Sequence, residues 1–306
     1  MEKGVGQFLT LPDISSKMTS HPKANTQHIQ QMPWIAPRPC CGIGNRLFQT
    51  MAAVGEAERQ GKEPVFFLPR MCHYEHGEFA LLQKLFPTLR LLESESTWEE
   101  VKENSDGTIP PLTATQQVPV VLSGFFQNSK NFPSPNSRHL PRLPTKEPLP
   151  PLKKAWAVHF RLGDYKILPH HQVALGPYYT QTILSKIPKG SRLILFSDSP
   201  DALPAIAMEL EEMGYLPMIY EGTDVLETFK AFSACSLGAI CSNSTFTWWA
   251  AYFTQERIDS LPDYRAYFPS VWMPGRDAPQ VLNLPFTQVV DIKTLPLTPT
   301  LKSFTY

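Results

Sequence analysis

Short apolar runs alternate with stretches of helical periodicity in the second half of the chain. Each run is almost wholly apolar, which is typical of strands buried on both faces of a parallel sheet. Strands are predicted at Trp156–Phe160, Arg192–Phe196, Met218–Tyr220 and Leu237–Cys241, and helices at Tyr178–Lys186, Asp201–Met213, Asp224–Ala234 and Ser244–Phe253. This alternation predicts an α/β fold whose ligand site lies beyond the carboxyl ends of the strands.

The first half has a similar rhythm with weaker signals. Apolar positions three to four residues apart predict a helix over Arg46–Lys62, which ends near Gly61. Apolar runs predict strands at Pro64–Pro69 and Val118–Phe126, and Phe79–Leu92 has the pattern of a helix followed by a strand. The order turn, helix, strand predicts that a second α/β domain begins here.

A proline-rich segment separates the two halves, with seven prolines between Pro133 and Pro151. Such density excludes a regular helix and favours an extended connection. Because 306 residues exceed the usual size of one domain, two domains are expected. The predicted organisation is a flexible tail over 1–37, an α/β domain over 38–130, a linker over 131–153 and a second α/β domain over 154–306.

Charge and cysteine content restrict the possible partners. Lys plus Arg equals Asp plus Glu at 28 each, so a general attraction to nucleic acid or anionic lipid is not expected. The five cysteines are odd in number and have no metal-binding spacing, which favours a reducing compartment. The first 37 residues contain no signal core or membrane span, so the sequence predicts no transmembrane segment and a cytoplasmic location.

Polar residues are concentrated just after three predicted strands. The first group is HFRLGDY at 159–165, in which Arg161 offers a planar fork of donors that matches phosphate oxygens. The alternative is an arginine that only pairs with Asp164 in a loop. The next group, SDSPD at 197–201, contains Asp198, which could accept hydrogen bonds from a base or ribose or could form a helix-capping turn.

The third group is SNSTFTWW at 242–249, which has the pattern of a helix N-terminus. Backbone N–H groups and hydroxyls at such a position can bind an anion. The alternative is an ordinary N-cap whose aromatic neighbours pack in the core. The candidate residues here are Asn243, Ser244, Thr245 and Phe246.

In the first half, CGIGNR places Asn45 and Arg46 at a helix start. Gly42 and Gly44 permit close approach of a ligand, but an isolated G-x-G is weak and the dinucleotide fingerprint is absent. The phosphate-binding lysine motif, the G-x-S-x-G elbow and H-E-x-x-H are also absent from the sequence. These absences weaken hydrolytic and metal-dependent hypotheses, and no metal or other cofactor is expected.

The ordered motifs resemble the α-1,2-fucosyltransferases of glycosyltransferase family 11. Six elements of the family occur here in the same order. CGIGNRLFQ (41–49) resembles G-G-I/L-G-N-Q/R-L-F-Q, GFFQNSKNF (124–132) resembles G-Y-F-Q-S-x-K-Y-F, and HFRLGDY (159–165) resembles H-x-R-R-G-D-Y. YYTQTI (178–183) resembles Y-Y-x-x-A-I, FSDS (196–199) resembles F-S-D-D, and NSTFTWWAAY (243–252) resembles N-S-S-F-S-W-W-G-A-W. Three positions depart from the pattern: Cys41 replaces a glycine, Leu162 an arginine and Ser199 an acid.

The resemblance implies a GT-B-type fold, in which two Rossmann-like domains enclose a cleft. It implies inverting, metal-independent transfer of L-fucose from GDP-fucose to the 2-hydroxyl of a galactose-containing glycan. The domain over 154–306 would bind the donor through His159, Arg161, Asp164, Asp198 and residues 243–246. The domain over 38–130 would provide Asn45 and Arg46 on the acceptor side, and the expected catalytic residues are Arg161, Asn45 and His159.

Within this scheme, Arg161 is expected to stabilise the leaving diphosphate and Asp164 to orient Arg161. His159 and Asp198 are expected to contact guanosine. Leu162 and Ser199 leave two alternatives open, namely a transferase of the same fold that uses another nucleotide sugar, and an inactive relative that only binds GDP or glycan.

Overall fold

A computed structural model describes residues 34–67, 78–93, 97–112, 118–144, 152, 154–168, 173, 175–254, 262–279, 281, 284–295 and 301–302. Most of the predicted tail and part of the predicted linker lie outside these residues. In the described part, no helix combines the length and the apolar character that crossing a membrane requires.

The first half forms a five-stranded sheet in the order β3-β2-β1-β5-β4, and all its strand pairs are parallel. Its elements are β1 (Trp34–Pro37), α1 (Ile43–Gln60), β2 (Glu63–Phe67), α2 (Glu78–Leu85), β3 (Arg90–Leu92), β4 (Glu99–Lys102) and β5 (Val120–Ser123). The chain moves outwards from β1 and later returns beside it with β5. The strand order therefore reverses between β1 and β5.

The second half forms a six-stranded sheet in the order β13-β10-β9-β6-β7-β8, again with parallel pairs. Its elements are β6 (Trp156–Phe160), α3 (Gly176–Lys186), β7 (Arg192–Ser197), α4 (Leu203–Glu212), β8 (Leu216–Ile219), α5 (Val225–Ala234), β9 (Gly238–Ile240), α6 (Thr245–Tyr252), β10 (Ala266–Pro269) and β13 (Thr287–Val290), with a small antiparallel pair, β11 (Val271–Met273) and β12 (Arg276–Asp277). Counted from β6, this is the 3-2-1-4-5-6 order of a doubly wound nucleotide-binding sheet, and its reversal lies between β6 and β9.

The α/β class and the parallel sheets predicted from the sequence are confirmed. One boundary is wrong, because residues 34–37 of the predicted tail form β1, in which Ile35 and Ala36 are fully buried between β2 and β5. A four-residue strand next to a proline-dotted segment gives too short an apolar run to stand out. The edge strand β4 (EEVK) was also missed, since only Val101 of its four residues is buried.

Helices α1 and α6 pack against each other through a buried aromatic cluster. The ring of Phe48 lies 4.8 Å from Trp248 and 5.0 Å from Trp249. Phe132, in the predicted linker, adds to the cluster at 5.8 Å from Trp248. Residues Pro33–Tyr306 group into one compact unit, and the division into domains at 38–130 and 154–306 stays a prediction.

Candidate active site

A cavity of about 1200 Å³ opens at the carboxyl ends of strands from both sheets. Its wall includes the residues that follow β1 and β5 in the first sheet and β6, β7 and β9 in the second. The cavity therefore lies beside the strand-order reversal of each sheet. In open α/β sheets this is the position where ligands bind.

Arg161 lies directly after β6, and its side chain is 25% exposed. Its Nη2 atom is 2.8 Å from Oδ1 of Asp164, and its Nη1 atom is 3.2 Å from Oδ2 of Asp198. The guanidinium carbon also lies 5.2 Å from the ring centre of Tyr165. Two carboxylates and an aromatic ring thus fix the orientation of this charge at the cavity wall.

Asp198 fixes the backbone that follows β6. Its Oδ1 atom accepts hydrogen bonds from the backbone N–H groups of Leu162, at 2.8 Å, and Gly163, at 3.0 Å. The acid after β7 thereby holds the turn after β6, which is a different role from capping the helix that follows it. The predicted contact with guanosine stays a prediction.

Both helices in the aromatic cluster begin at the cavity without a side-chain cap among the described residues. Helix α1 follows Gly42 and α6 follows Ser244, and neither helix has an acidic residue in its first turn. The first N–H groups of a helix have no partner within it, and they carry the positive end of its dipole. Together with Arg161, which lines the same cavity, two such ends make this wall suitable for an anion.

The two helix starts touch at Gly44. A Cβ atom at this position would lie 2.5 Å from the carbonyl carbon of Thr245 and 2.6 Å from the backbone nitrogen of Phe246. Both distances are far shorter than van der Waals contact, so only glycine permits this approach. The second glycine of the G-x-G therefore serves the contact between α1 and α6.

His159 is 3% exposed, and its ring makes polar contacts with buried hydroxyls. Its Nδ1 atom is 3.1 Å from Oγ of Ser242 and 3.0 Å from Oγ1 of Thr247. Burial lowers the pKa of His159 to about 4, so the imidazole is neutral near pH 7. His159 can therefore exchange hydrogen bonds, but it accepts protons weakly and provides no fixed positive charge.

Acidic residues outnumber basic ones in the part of the cavity wall that the structure describes. The wall contains Arg161 and Arg276 together with Glu103, Asp106, Asp164, Asp198, Glu221 and Asp277. Arg161 and the two helix starts together favour an anionic ligand on their part of the wall, whereas Arg276 is next to the acid Asp277. The wall near Glu103 and Asp106 favours a neutral ligand with hydroxyl groups.

Most of the candidate residues from the sequence line this cavity: Asn45, His159, Arg161, Asp164, Asp198, Ser244, Thr245 and Phe246. Two do not belong to the described wall. Arg46 is 8% exposed within α1, and Asn243 is fully buried, with its Nδ2 atom donating to the carbonyl of Trp272 at 2.8 Å. Both positions were expected to face a ligand, but the helix turn and the end of β9 direct them into the protein.

Leu162 is 1% exposed and packs in the apolar cluster around β6 and α3. Leu162 stands where the family motif has an arginine, and its side chain thus points away from the cavity. Its leucine side chain is suited to that environment. The substitution consequently provides no evidence for a weakened anion site.

Sequence reasoning missed part of the wall. Glu103, after β4, and the exposed side chain of Phe125, after β5, line the cavity without having been named as site residues. The motif GFFQNSKNF, which includes Phe125, was noticed only as a resemblance. The rule that ligands bind at strand ends, applied to β5, would have selected it.

Among the described residues, no group of three or more His, Cys, Asp and Glu side chains is arranged to hold a metal ion. The chain matches no protein-family model, and no curated protein matches it. Among solved structures, the fucosyltransferase NodZ from Bradyrhizobium is 12% identical, with a TM-score of 0.30, over 72% of this chain and 92% of that chain. A superposition this weak transfers no residue roles.

Proposed function

We propose that the protein transfers L-fucose from GDP-fucose to the 2-hydroxyl of a galactose-containing acceptor, with inversion and without a metal ion. The main support is the combination of Arg161 with two uncapped helix starts at one cavity wall. This arrangement suits a diphosphate, and it lies at the reversal of a doubly wound sheet. The choice of donor and linkage rests on the resemblance of the six ordered motifs.

In the proposed reaction, the bond between fucose and the diphosphate breaks as the acceptor hydroxyl attacks the opposite face of the sugar, and an oxygen of the departing diphosphate takes the proton of that hydroxyl. Negative charge then accumulates on the departing GDP. Arg161 and the N–H groups at the start of α6 stabilise that charge, together with the hydroxyls of Ser244 and Thr245. Asp164 and Asp198 keep Arg161 in place. The proposal also includes closure of two GT-B-type domains around the bound substrates.

Two predicted catalytic residues have narrower roles in this scheme. Asn45 has an amide that cannot act as a base, so it serves as a hydrogen-bonding group on the acceptor side. The lowered pKa of His159 makes it a weak proton acceptor at neutral pH. It instead supports the start of α6 through Thr247.

The test is GDP release from GDP-fucose with EDTA present, across a set of β-galactosides and in a reaction without acceptor. Acceptor-dependent release is expected from the unaltered protein. Arg161→Ala should lower transfer by about 10²- to 10³-fold, because one preorganised donor is lost. Arg192→Ala is the matched control, since Arg192 is exposed at the opposite end of β7 and should leave transfer unchanged.

Near-normal transfer by a folded Arg161→Ala variant would refute the role of Arg161. Calorimetry compares the affinities for GDP and UDP. Tighter binding of UDP would mean that the donor is a uridine-linked sugar and not GDP-fucose. GDP binding without release for any acceptor would instead indicate a protein that only binds.

A further inference from the structure

Phe125 is unusual among the aromatic residues. It is 46% exposed, and in the part of the chain that the structure describes it is the only aromatic residue with such high exposure. It lies at the cavity wall just after β5, where the strand order of the first sheet reverses. Ligand cavities are lined mainly by apolar and aromatic side chains, so an exposed ring at this place is a candidate ligand contact.

The turn that presents Phe125 is fixed by Glu103. The two carboxylate oxygens of Glu103 accept hydrogen bonds from the backbone N–H groups of Phe125 and Phe126, each at 2.6 Å. Phe126 has a φ of 52°, which is unfavourable for a side chain of this kind, and it is fully buried. Burial of Phe126 and the carboxylate of Glu103 together direct Phe125 outwards.

The neighbouring loops make this turn rigid. The Nδ2 atom of Asn128 donates to the carbonyl of Asp106 at 3.0 Å, and that of Asn131 to the carbonyl of Gly107 at 2.7 Å. Both asparagines are 2% exposed. The exposed ring therefore sits on a preorganised support, as is typical of a binding surface.

We infer that Phe125 is the platform of the acceptor subsite and stacks against the apolar face of a pyranose ring. Aromatic rings bind flat apolar faces, and the adjacent Glu103 and Asp106 can accept hydrogen bonds from sugar hydroxyls. The same two acids would repel a nucleotide, whose phosphates are favoured at Arg161 on the second sheet. The choice of a galactoside as ligand rests on the proposed function.

The test uses ligand-observed NMR on the full-length protein saturated with GDP. Lactose, N-acetyllactosamine and methyl β-galactoside are each titrated into this sample. Phe125→Ala should weaken galactoside binding by about 2- to 10-fold and leave the GDP affinity unchanged. Phe125→Trp should restore binding. Leu216→Ala, which truncates another exposed apolar side chain at the start of β8, is the matched control and should bind as the unaltered protein does.

A second variant tests the support without altering the ring. A Cβ atom at Gly124 would lie 2.3 Å from Cβ of Glu103, so Gly124→Ala should displace the turn and reproduce the loss caused by Phe125→Ala. The inference is overturned if no galactoside binds, if both variants bind as well as the unaltered protein, or if Phe125→Ala weakens GDP instead. Phe125-dependent galactoside binding without fucosyl transfer would support the subsite and refute the proposed reaction.

Discussion

Replacing Gly44 with alanine tests whether the contact between α1 and α6 forms the anion site. The added methyl carbon would lie 2.5 to 2.6 Å from three atoms of Thr245 and Phe246. Two of those atoms belong to the backbone, which cannot rotate away as a side chain can. One helix start would have to move by about 1 Å to restore ordinary contact.

The expected loss of stability follows from two opposing effects. Overpacking of this kind costs about 1 to 3 kcal/mol, whereas alanine in a helix gains about 0.5 to 1 kcal/mol over glycine. The net cost in the free energy of unfolding is therefore between about 0 and 2.5 kcal/mol. Loss of one aligned helix start should remove about 1 to 2 kcal/mol of GDP binding, which corresponds to about 5- to 30-fold.

Urea unfolding followed by tryptophan fluorescence measures the first quantity, and calorimetric titration with GDP measures the second. Gly42→Ala is the matched control for stability, because a Cβ atom there meets nothing within 4 Å and the φ of Gly42 is −67°. It should change stability by less than about 1 kcal/mol. If Gly44→Ala is as stable as Gly42→Ala and binds GDP as tightly as the unaltered protein, the contact at Gly44 does not form the site.

Three further changes test the surrounding residues. The pKa of His159 lies near 4 in the folded protein and near 6.5 in the unfolded chain, so the unfolded chain binds more protons between these values. The free energy of unfolding should therefore fall by about 3 kcal/mol as the pH is lowered from 6.5 to 4. Urea unfolding at several pH values measures this fall, which should be absent from His159→Gln. Asp198→Asn should lower the free energy of unfolding by about 1 to 3 kcal/mol and reduce transfer activity. The nearby Asp201→Asn should change neither quantity. Leu162→Arg should lose about 3 to 5 kcal/mol by burying a charge, and a stable variant with tighter GDP binding would show that position 162 reaches the cavity.

The second sheet was predictable because its strands are apolar throughout and its helices are amphipathic. Burial on both faces leaves this signature in the sequence. The first sheet was less predictable, since its central strand β1 has four residues and its edge strand β4 has a single apolar residue among three charged ones. Whether a short run becomes a central strand depends on neighbours distant in sequence, and Trp34–Pro37 pairs with β2 and β5.

For the site, the rule of strand ends selected Arg161 and Ser244 because polar residues follow apolar runs there. The rule does not tell which side chain of a turn faces the cavity. Arg161 faces it, while Leu162 is buried in the apolar cluster. Asn243 is likewise buried, whereas its neighbour Ser244 lines the cavity. Side-chain direction in turns depends on backbone angles, which the sequence pattern does not contain.

Asn45 occupies the position where the two proposed subsites meet. It lies in the first turn of α1, and its Oδ1 atom accepts a hydrogen bond from Nε2 of Gln127 at 3.0 Å, two residues beyond Phe125. One helix start thus contacts both the anion-binding wall, through Gly44, and the turn of the aromatic platform. If donor and acceptor bind as proposed, the hydroxyl that attacks fucose must pass close to Asn45. Asn45→Asp should therefore weaken GDP binding in a calorimetric titration, since its negative charge would oppose the diphosphate, and it should leave galactoside binding unchanged, since its carboxylate would still accept the bond from Gln127.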